Sequence, residues 1–258
     1  MEARCRCTRF EPGSCLIWAP RWLAIAFVGL YKITLDRCVE IEGLEHLPKI
    51  GPVILAGNHI SKAGMDGVLL GSKILMERGD LPKFVSIADP PTCMLRHFVR
   101  LMGKTQGVLL PIHKGKTTNA MIRFLRNPEA FQRNQPILGI FPVGEADSDF
   151  GEHVNKSWHT GAAVAAIETG APIVPFFVDG LPYNWGPLDI LKAAARSLFG
   201  GKAFEFKIRL GASIRAEGAK DERKYEGMTE RVRQAVRTLA NGGQTSQHST
   251  RTIPTNTD

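Results

Sequence analysis

Short apolar runs closed by turn-forming residues recur along the chain, at residues 52–56, 137–141 and 173–178. Runs of this length without polar alternation predict strands buried on both faces, as in a parallel sheet. Val39–Glu42 and residues 204–210 instead alternate apolar with polar and predict half-exposed strands. Between them, residues 68–78, 119–125 and 161–168 predict helices. Over about residues 221–240, Met228, Val232, Ala235, Val236 and Leu239 fall on one helical face, while Arg231, Arg233 and Arg237 point elsewhere. Strands alternating with helices predict an α/β fold, a mostly parallel sheet flanked by helices. Residues 241–258 are rich in Gly, Ser, Thr and Asn and predict a disordered polar tail.

The lead-in, residues 1–37, is basic and apolar. A spanning helix needs ~20 mostly apolar residues. Residues 15–35 contain Pro20, Arg21 and Lys32, which leave only residues 22–31 uninterrupted. Trp18, Trp22 and Tyr31 are the amphipathic aromatics of headgroup depth, so the segment predicts an interfacial, membrane-associated helix. A signal peptide is the alternative, since Arg4, Arg6 and Arg9 precede the run. Its small-x-small site, Ala24-Ile25-Ala26, lies inside the apolar stretch instead of after it. The chain thus divides into 1–37, a globular domain 38–240 and a tail 241–258.

The 258 residues, 43% hydrophobic, are enough for one sizeable core. With 33 basic against 25 acidic residues the formal charge is +8, which favours anionic partners: phospholipid headgroups, nucleic acid or a phosphorylated substrate. No aromatic–basic platform or recognition-helix motif accompanies that charge, so nucleic acid is not expected. Cys5, Cys7, Cys15, Cys38 and Cys93 are odd in number and lack paired metal spacing. They read as reduced thiols in a cytoplasmic protein.

The chemistry begins directly after the apolar run at 52–55, where residues 56–66 read AGNHISKAGMD. A strand ending in Asn-His with a carboxylate shortly beyond puts His59 and Asp66 at a strand-to-helix turn, where a general base and its orienting acid belong. The alternative is a capped helix with a satisfied histidine. No G-x-S-x-G elbow is present. Gly115-Lys116-Thr117 ends like a P-loop, but Leu110 and Pro111 stand where the loop needs its first glycine. Glu145, Asp147, Asp149, Glu152, His153 and His159 form an acidic, histidine-bearing stretch. It reads as a solvated loop in preference to a divalent-metal site.

Four blocks occur in order: VEIEGLEHLPKIGPVILAGNH, GKTQGVLLPIHKGKTTNAM, ILGIFPVGEADSDFG and HTGAAVAAIETGAPIVPFFVDG. In order and spacing they resemble the glycerolipid acyltransferase family, best known for its 1-acylglycerol-3-phosphate acyltransferases, over about residues 38–180. The first three blocks diverge. Six residues separate His59 from Asp66, where the family has four, and Gly64 stands at the usual aspartate position. His113 occupies the place of the family's phosphate-binding arginine, with Lys114 and Lys116 nearby. Phe141-Pro142-Val143-Gly144-Glu145-Ala146 replaces FPEGTR.

The resemblance implies acyl transfer from an acyl-CoA or acyl carrier protein thioester to a hydroxyl of a lysophospholipid or glycerol phosphate. His59 and Asp66 would be catalytic. Asn58, His113, Lys114, Lys116, Gly144 and Glu145 would bind substrate. No metal and no cofactor beyond the acyl-carrying co-substrate is expected. Membrane phospholipids are the expected partners, on the cytoplasmic face of a membrane, with peripheral or monotopic attachment. The alternative is a catalytically degenerate acyltransferase fold that binds membrane lipid without turnover.

Overall fold

The computed structural model describes residues 32–62, 64–79, 83–87, 109–112, 117–126, 136–216 and 222–248. Strands β1 (Val39–Glu42), β2 (Val53–Gly57), β3 (Lys83–Ile87), β4 (Leu109–Ile112), β5 (Ile137–Ile140), β6 (Ile173–Asp179) and β7 (Phe206–Leu210) form one sheet. The helices are α1 (Met65–Arg78), α2 (Thr117–Arg126), α3 (Phe150–Asn155), α4 (Gly161–Thr169), α5 (Pro187–Leu198) and α6 (Glu222–His248). Short 3-10 turns at Asp36–Cys38 and Leu44–His46 flank β1.

The sheet order is β1-β7-β6-β2-β5-β3-β4. Strands β2 to β6 run parallel to one another. β7 pairs antiparallel with β6 and parallel with β1. The expected α/β fold with a mostly parallel sheet is therefore present. The reversed pair at one end had no counterpart in the sequence reading.

Burial explains the pattern of β2. Val53 and Leu55 face one core with Val174, Phe176, Phe206 and Ile208, under Leu69, Leu70 and Ile74 of α1. Ile54 and Ala56 face the other core with Leu138 and Ile140, under α2, α4 and α6. With both faces covered, every side chain of β2 is apolar and buried. On α6, Met228, Val232 and Val236 turn inward, as their spacing predicts. On β7, Phe206, Ile208 and Leu210 are buried while Lys207 and Arg209 are half-buried, as the alternation predicts.

Two expectations are corrected. The polar tail does not begin at residue 241, because α6 continues to His248. An existing helix extends by one backbone hydrogen bond per residue without a new nucleus, so polar residues are tolerated there. The acidic, histidine-bearing stretch is not wholly a solvated loop. Asp149 caps α3 by accepting the Gly151 and Glu152 N–H groups at 2.7 and 3.3 Å, and the turn this starts carries His153 into the core. The expected N-terminal interfacial helix falls mostly on residues 1–31, outside the described residues. Among the described residues no helix is long and apolar enough to cross a membrane.

Candidate active site

The site forms at the carboxyl end of β2, the middle strand of the sheet. In open parallel sheets that edge is where ligands bind, since helix N-termini and loops converge there. Gly57 lets β2 approach β6 closely: a Cβ at that position would stand 2.1 Å from the Phe176 carbonyl oxygen. Asn58 then takes over the ladder with its side chain. Its amide nitrogen donates to the Val178 carbonyl and its amide oxygen accepts the Val178 N–H, both at 2.8 Å. Asn58 is fully buried. It braces β2 against β6, with both ends of its amide engaged by Val178. With Val178 satisfied by a side chain, the backbone of β2 is free to turn out of the sheet at His59.

His59 Nδ1 lies 2.7 Å from Asp66 Oδ2, and the His59 side chain remains 14% exposed. The extra spacing between the two is absorbed in the turn just before α1. The Gly64 N–H returns to the Ser61 carbonyl at 2.9 Å, and Gly64 sits at φ +72°, immediately before α1. Asp66 therefore enters in the first turn of α1, where a helix N-terminus favours negative charge. Its Oδ2 also accepts the N–H groups of Ile60 (2.8 Å) and Ser61 (3.3 Å), and its Oδ1 accepts that of Gly67 (2.9 Å). A carboxylate with four donors and 1% exposure has one orientation. Because a carboxylate only accepts, the tautomer this contact selects for the neutral His59 ring has its proton on Nδ1 and its lone pair on Nε2.

A third residue, unmarked in the sequence reading, fixes the ring plane. Phe141, at the end of β5, stacks on His59 with centroids 4.1 Å apart and 18° between planes, and itself meets Phe176 edge-on. The turn after Phe141 is tied to the same place. Asp147 N–H donates to the His59 carbonyl, Gly144 N–H to the Phe141 carbonyl, and His159 N–H to the Pro142 carbonyl, at 2.9, 2.9 and 3.0 Å. Gly144 and Glu145 are exposed in this turn, and the His159 ring lies about 4 Å from where a Gly144 Cβ would be. His113, Lys114 and Lys116 lie outside the described residues.

Close to this turn, His153 is buried, and among the described residues neither ring nitrogen has a hydrogen-bond partner. Burial, and secondarily the nearby His59, pushes its pKa down to about 4, so it is neutral at physiological pH. Lys156 pairs with Asp147 at 2.7 Å, which lowers the Asp147 pKa. Among the described residues no group of His, Cys, Asp and Glu side chains could hold a metal ion. A groove of about 590 Å³ beside edge strand β1, whose lining includes Arg37, Lys73, Glu77 and Lys202, shares no residue with this constellation.

An imidazole with one free nitrogen, locked by a buried carboxylate at the carboxyl end of a central parallel strand, is an arrangement suited to proton abstraction. A family model described as Acyltransferase matches residues 38–179, more than half of the chain, and the chain belongs to the acyltransferase family. The crystal structure of the 1-acyl-sn-glycerophosphate (LPA) acyltransferase, PlsC, from Thermotoga maritima is similar at 17% identity, over 87% of this chain and 84% of that one, with a TM-score of 0.48. No curated protein matches the chain.

Proposed function

We propose that this acyltransferase moves a fatty acyl group from an acyl-CoA or acyl carrier protein thioester to the hydroxyl of a lysophospholipid or glycerol phosphate, at the cytoplasmic face of a membrane. The 2.7 Å contact between His59 Nδ1 and the immobilised Asp66 carboxylate carries this reading. In the proposed step, Nε2 of His59 takes the acceptor hydroxyl proton as its oxygen attacks the thioester carbonyl. The imidazolium that forms is stabilised by Asp66. The tetrahedral intermediate then expels the thiolate, the C–S bond breaks, and the thiolate recovers the proton from Nε2. No acyl-enzyme is needed.

The developing oxyanion needs N–H donors. Several near the start of α1 are engaged: the Ile60, Ser61 and Gly67 groups bond Asp66, Gly64 N–H bonds the Ser61 carbonyl, Met65 N–H bonds Ser61 Oγ, and Lys62 N–H bonds the Tyr183 carbonyl. We assign the role to the turn at Val143–Glu145, exposed at Gly144 and Glu145, where the Gly144 N–H is taken and those of Val143 and Glu145 are the candidates. His113, Lys114 and Lys116 are assigned to the acceptor phosphate by resemblance.

The test is thioester consumption with a panel of lysolipids. His59→Ala should lose ~10²–10⁴-fold in turnover and keep its fold. Retained turnover in a folded His59→Ala protein rules the mechanism out. Ala146, where the family carries an arginine, favours a second reading, lipid binding without turnover. Wild-type turnover with any member of the panel dismisses it.

A further inference from the structure

The outward face of α5 is apolar. Leu188, Leu191 and Leu198 are each more than half exposed, and Phe199, just beyond the helix, is 91% exposed. Together with the exposed Ala195 they follow the helical period and make one stripe along the helix. The inward face is built from small residues, Ala193, Ala194 and Ser197, all buried. Lys192 and Arg196 stand four residues apart beside the stripe and are exposed. Asp189, the only acid in the helix, accepts the Gly186 N–H at 3.0 Å with one oxygen, and its other oxygen stands 3.9 Å from Lys192 Nζ, a long, solvent-exposed pair that leaves Arg196 uncompensated within the helix.

The stripe is continuous with two other features. At its far end, the guanidinium of Arg37 donates to the carbonyls of both Ser197 and Ile33, which ties the exposed Ile33 to the C-terminal turn of the helix. The chain enters there from residues 15–31, the tryptophan-bearing apolar segment. At its near end, the segment leading into α5 rests on the active-site turn. Lys62 N–H donates to the Tyr183 carbonyl at 3.0 Å, and the Ser61 hydroxyl donates to the Trp185 carbonyl at 3.3 Å.

We propose that α5 is a docking helix for an anionic phospholipid bilayer. Leu188, Leu191, Leu198 and Phe199 enter the headgroup–acyl boundary, and Lys192 and Arg196 meet lipid phosphates. Charge selects this occupant. A second copy seated on the stripe by two-fold symmetry would bring Lys192 and Arg196 against cations of the same kind. Residues 15–31 contain no acid to neutralise them. An anionic bilayer supplies both an apolar layer and a negative surface, and the chain's formal charge of +8 draws it there. Because the stripe starts beside the His59–Asp66 turn, docking would deliver a membrane-borne acceptor to that edge of the sheet. This purpose rests on the acyl-transfer reading; the surface itself does not.

The test uses full-length protein and vesicles of phosphatidylcholine with or without phosphatidylglycerol. Leu191→Glu/Phe199→Glu should lower partitioning onto the mixed vesicles by about tenfold or more. Its melting temperature and its turnover of a short-chain acceptor below the micellar threshold should match wild type. Lys192→Glu/Arg196→Glu should remove the preference for phosphatidylglycerol. Unchanged partitioning in both variants overturns the proposal and leaves residues 1–31 as the anchor. A lower melting temperature without lipid overturns it by showing that the chain covers its own stripe, and dissociation of an oligomer does so by showing that a second copy covers it. Loss of vesicle binding with normal short-chain turnover supports the surface. An inactive wild type with normal vesicle binding defeats the acyl-transfer reading alone.

Discussion

Replacing Asp66 by asparagine separates the two contributions of the carboxylate, because its hydrogen bonds are unequally divided. Oδ2 receives three donors, from His59, Ile60 and Ser61, and Oδ1 receives one, from Gly67. An asparagine placed with its oxygen at the Oδ2 position keeps three bonds and sets its NH2 against the Gly67 N–H. The reverse orientation loses three. Asp66→Asn therefore keeps the His59 ring in place with the proton on Nδ1, and removes only the negative charge.

Two unit charges ~4 Å apart at an effective dielectric of ~20 attract by about 4 kcal/mol. Full imidazolium character in the transition state would make that ~10³-fold in rate, and half a proton transferred about 30-fold. The stability cost is about 1–3 kcal/mol, for the Gly67 N–H left facing a donor. The measurement is thiol release from the thioester against acceptor concentration, on Asp66→Asn, His59→Ala and the double variant, with folding followed by circular dichroism. We expect kcat of Asp66→Asn to fall by about 30- to 1000-fold, with little change in acceptor KM. The double variant should be no slower than His59→Ala, since the pair acts as a unit. A folded Asp66→Asn protein within about threefold of wild-type kcat would refute the idea that this carboxylate stabilises a developing imidazolium.

Three further outcomes follow from the same geometry. His153 is neutral in the fold with its pKa lowered to about 4, while the unfolded chain takes up that proton near 6.5. Stability is thus unaffected above the unfolded pKa and falls as pH drops from there toward the folded one. The loss is about 2 kcal/mol between about pH 7.5 and about pH 5 in denaturant titrations, and it is absent in His153→Phe; equal losses in both proteins would rule this out. Asn58→Ala leaves the buried N–H and carbonyl of Val178 without partners and should cost about 2–4 kcal/mol by the same titration. Gly57→Ala drives a Cβ against the Phe176 carbonyl and should give a sharp fall in melting temperature, and an unchanged value would mean that β2 and β6 can move apart.

The sequence by itself determined the elements whose pattern is set by their own burial. β2, β5 and β6 are visible as apolar runs because both faces of the sheet are covered, and β1 and β7 as alternations because theirs are partly open. The histidine and its distant aspartate were visible too, since a glycine before α1 makes the added spacing physically possible. β4 escaped because it contains Pro111. Proline argues against a strand, yet it is tolerated here, where among the described residues β4 lies at the edge of the sheet and pairs with β3 alone. α5 escaped because it is apolar on both faces, small residues inward and leucines outward, so no single stripe announces it.

Other properties exist only between segments far apart in the chain, and the tertiary structure decided them. The roles of Asn58 and Phe141 depend on Val178 and His59, which local pattern does not bring near. The reversal of β7 depends on which strands it pairs with. The neutrality of His153 depends on its burial in the packed chain and, secondarily, on His59, far from it in sequence. A residue's chemistry is written in its type. Its protonation, orientation and exposure come from neighbours that only the packed chain supplies.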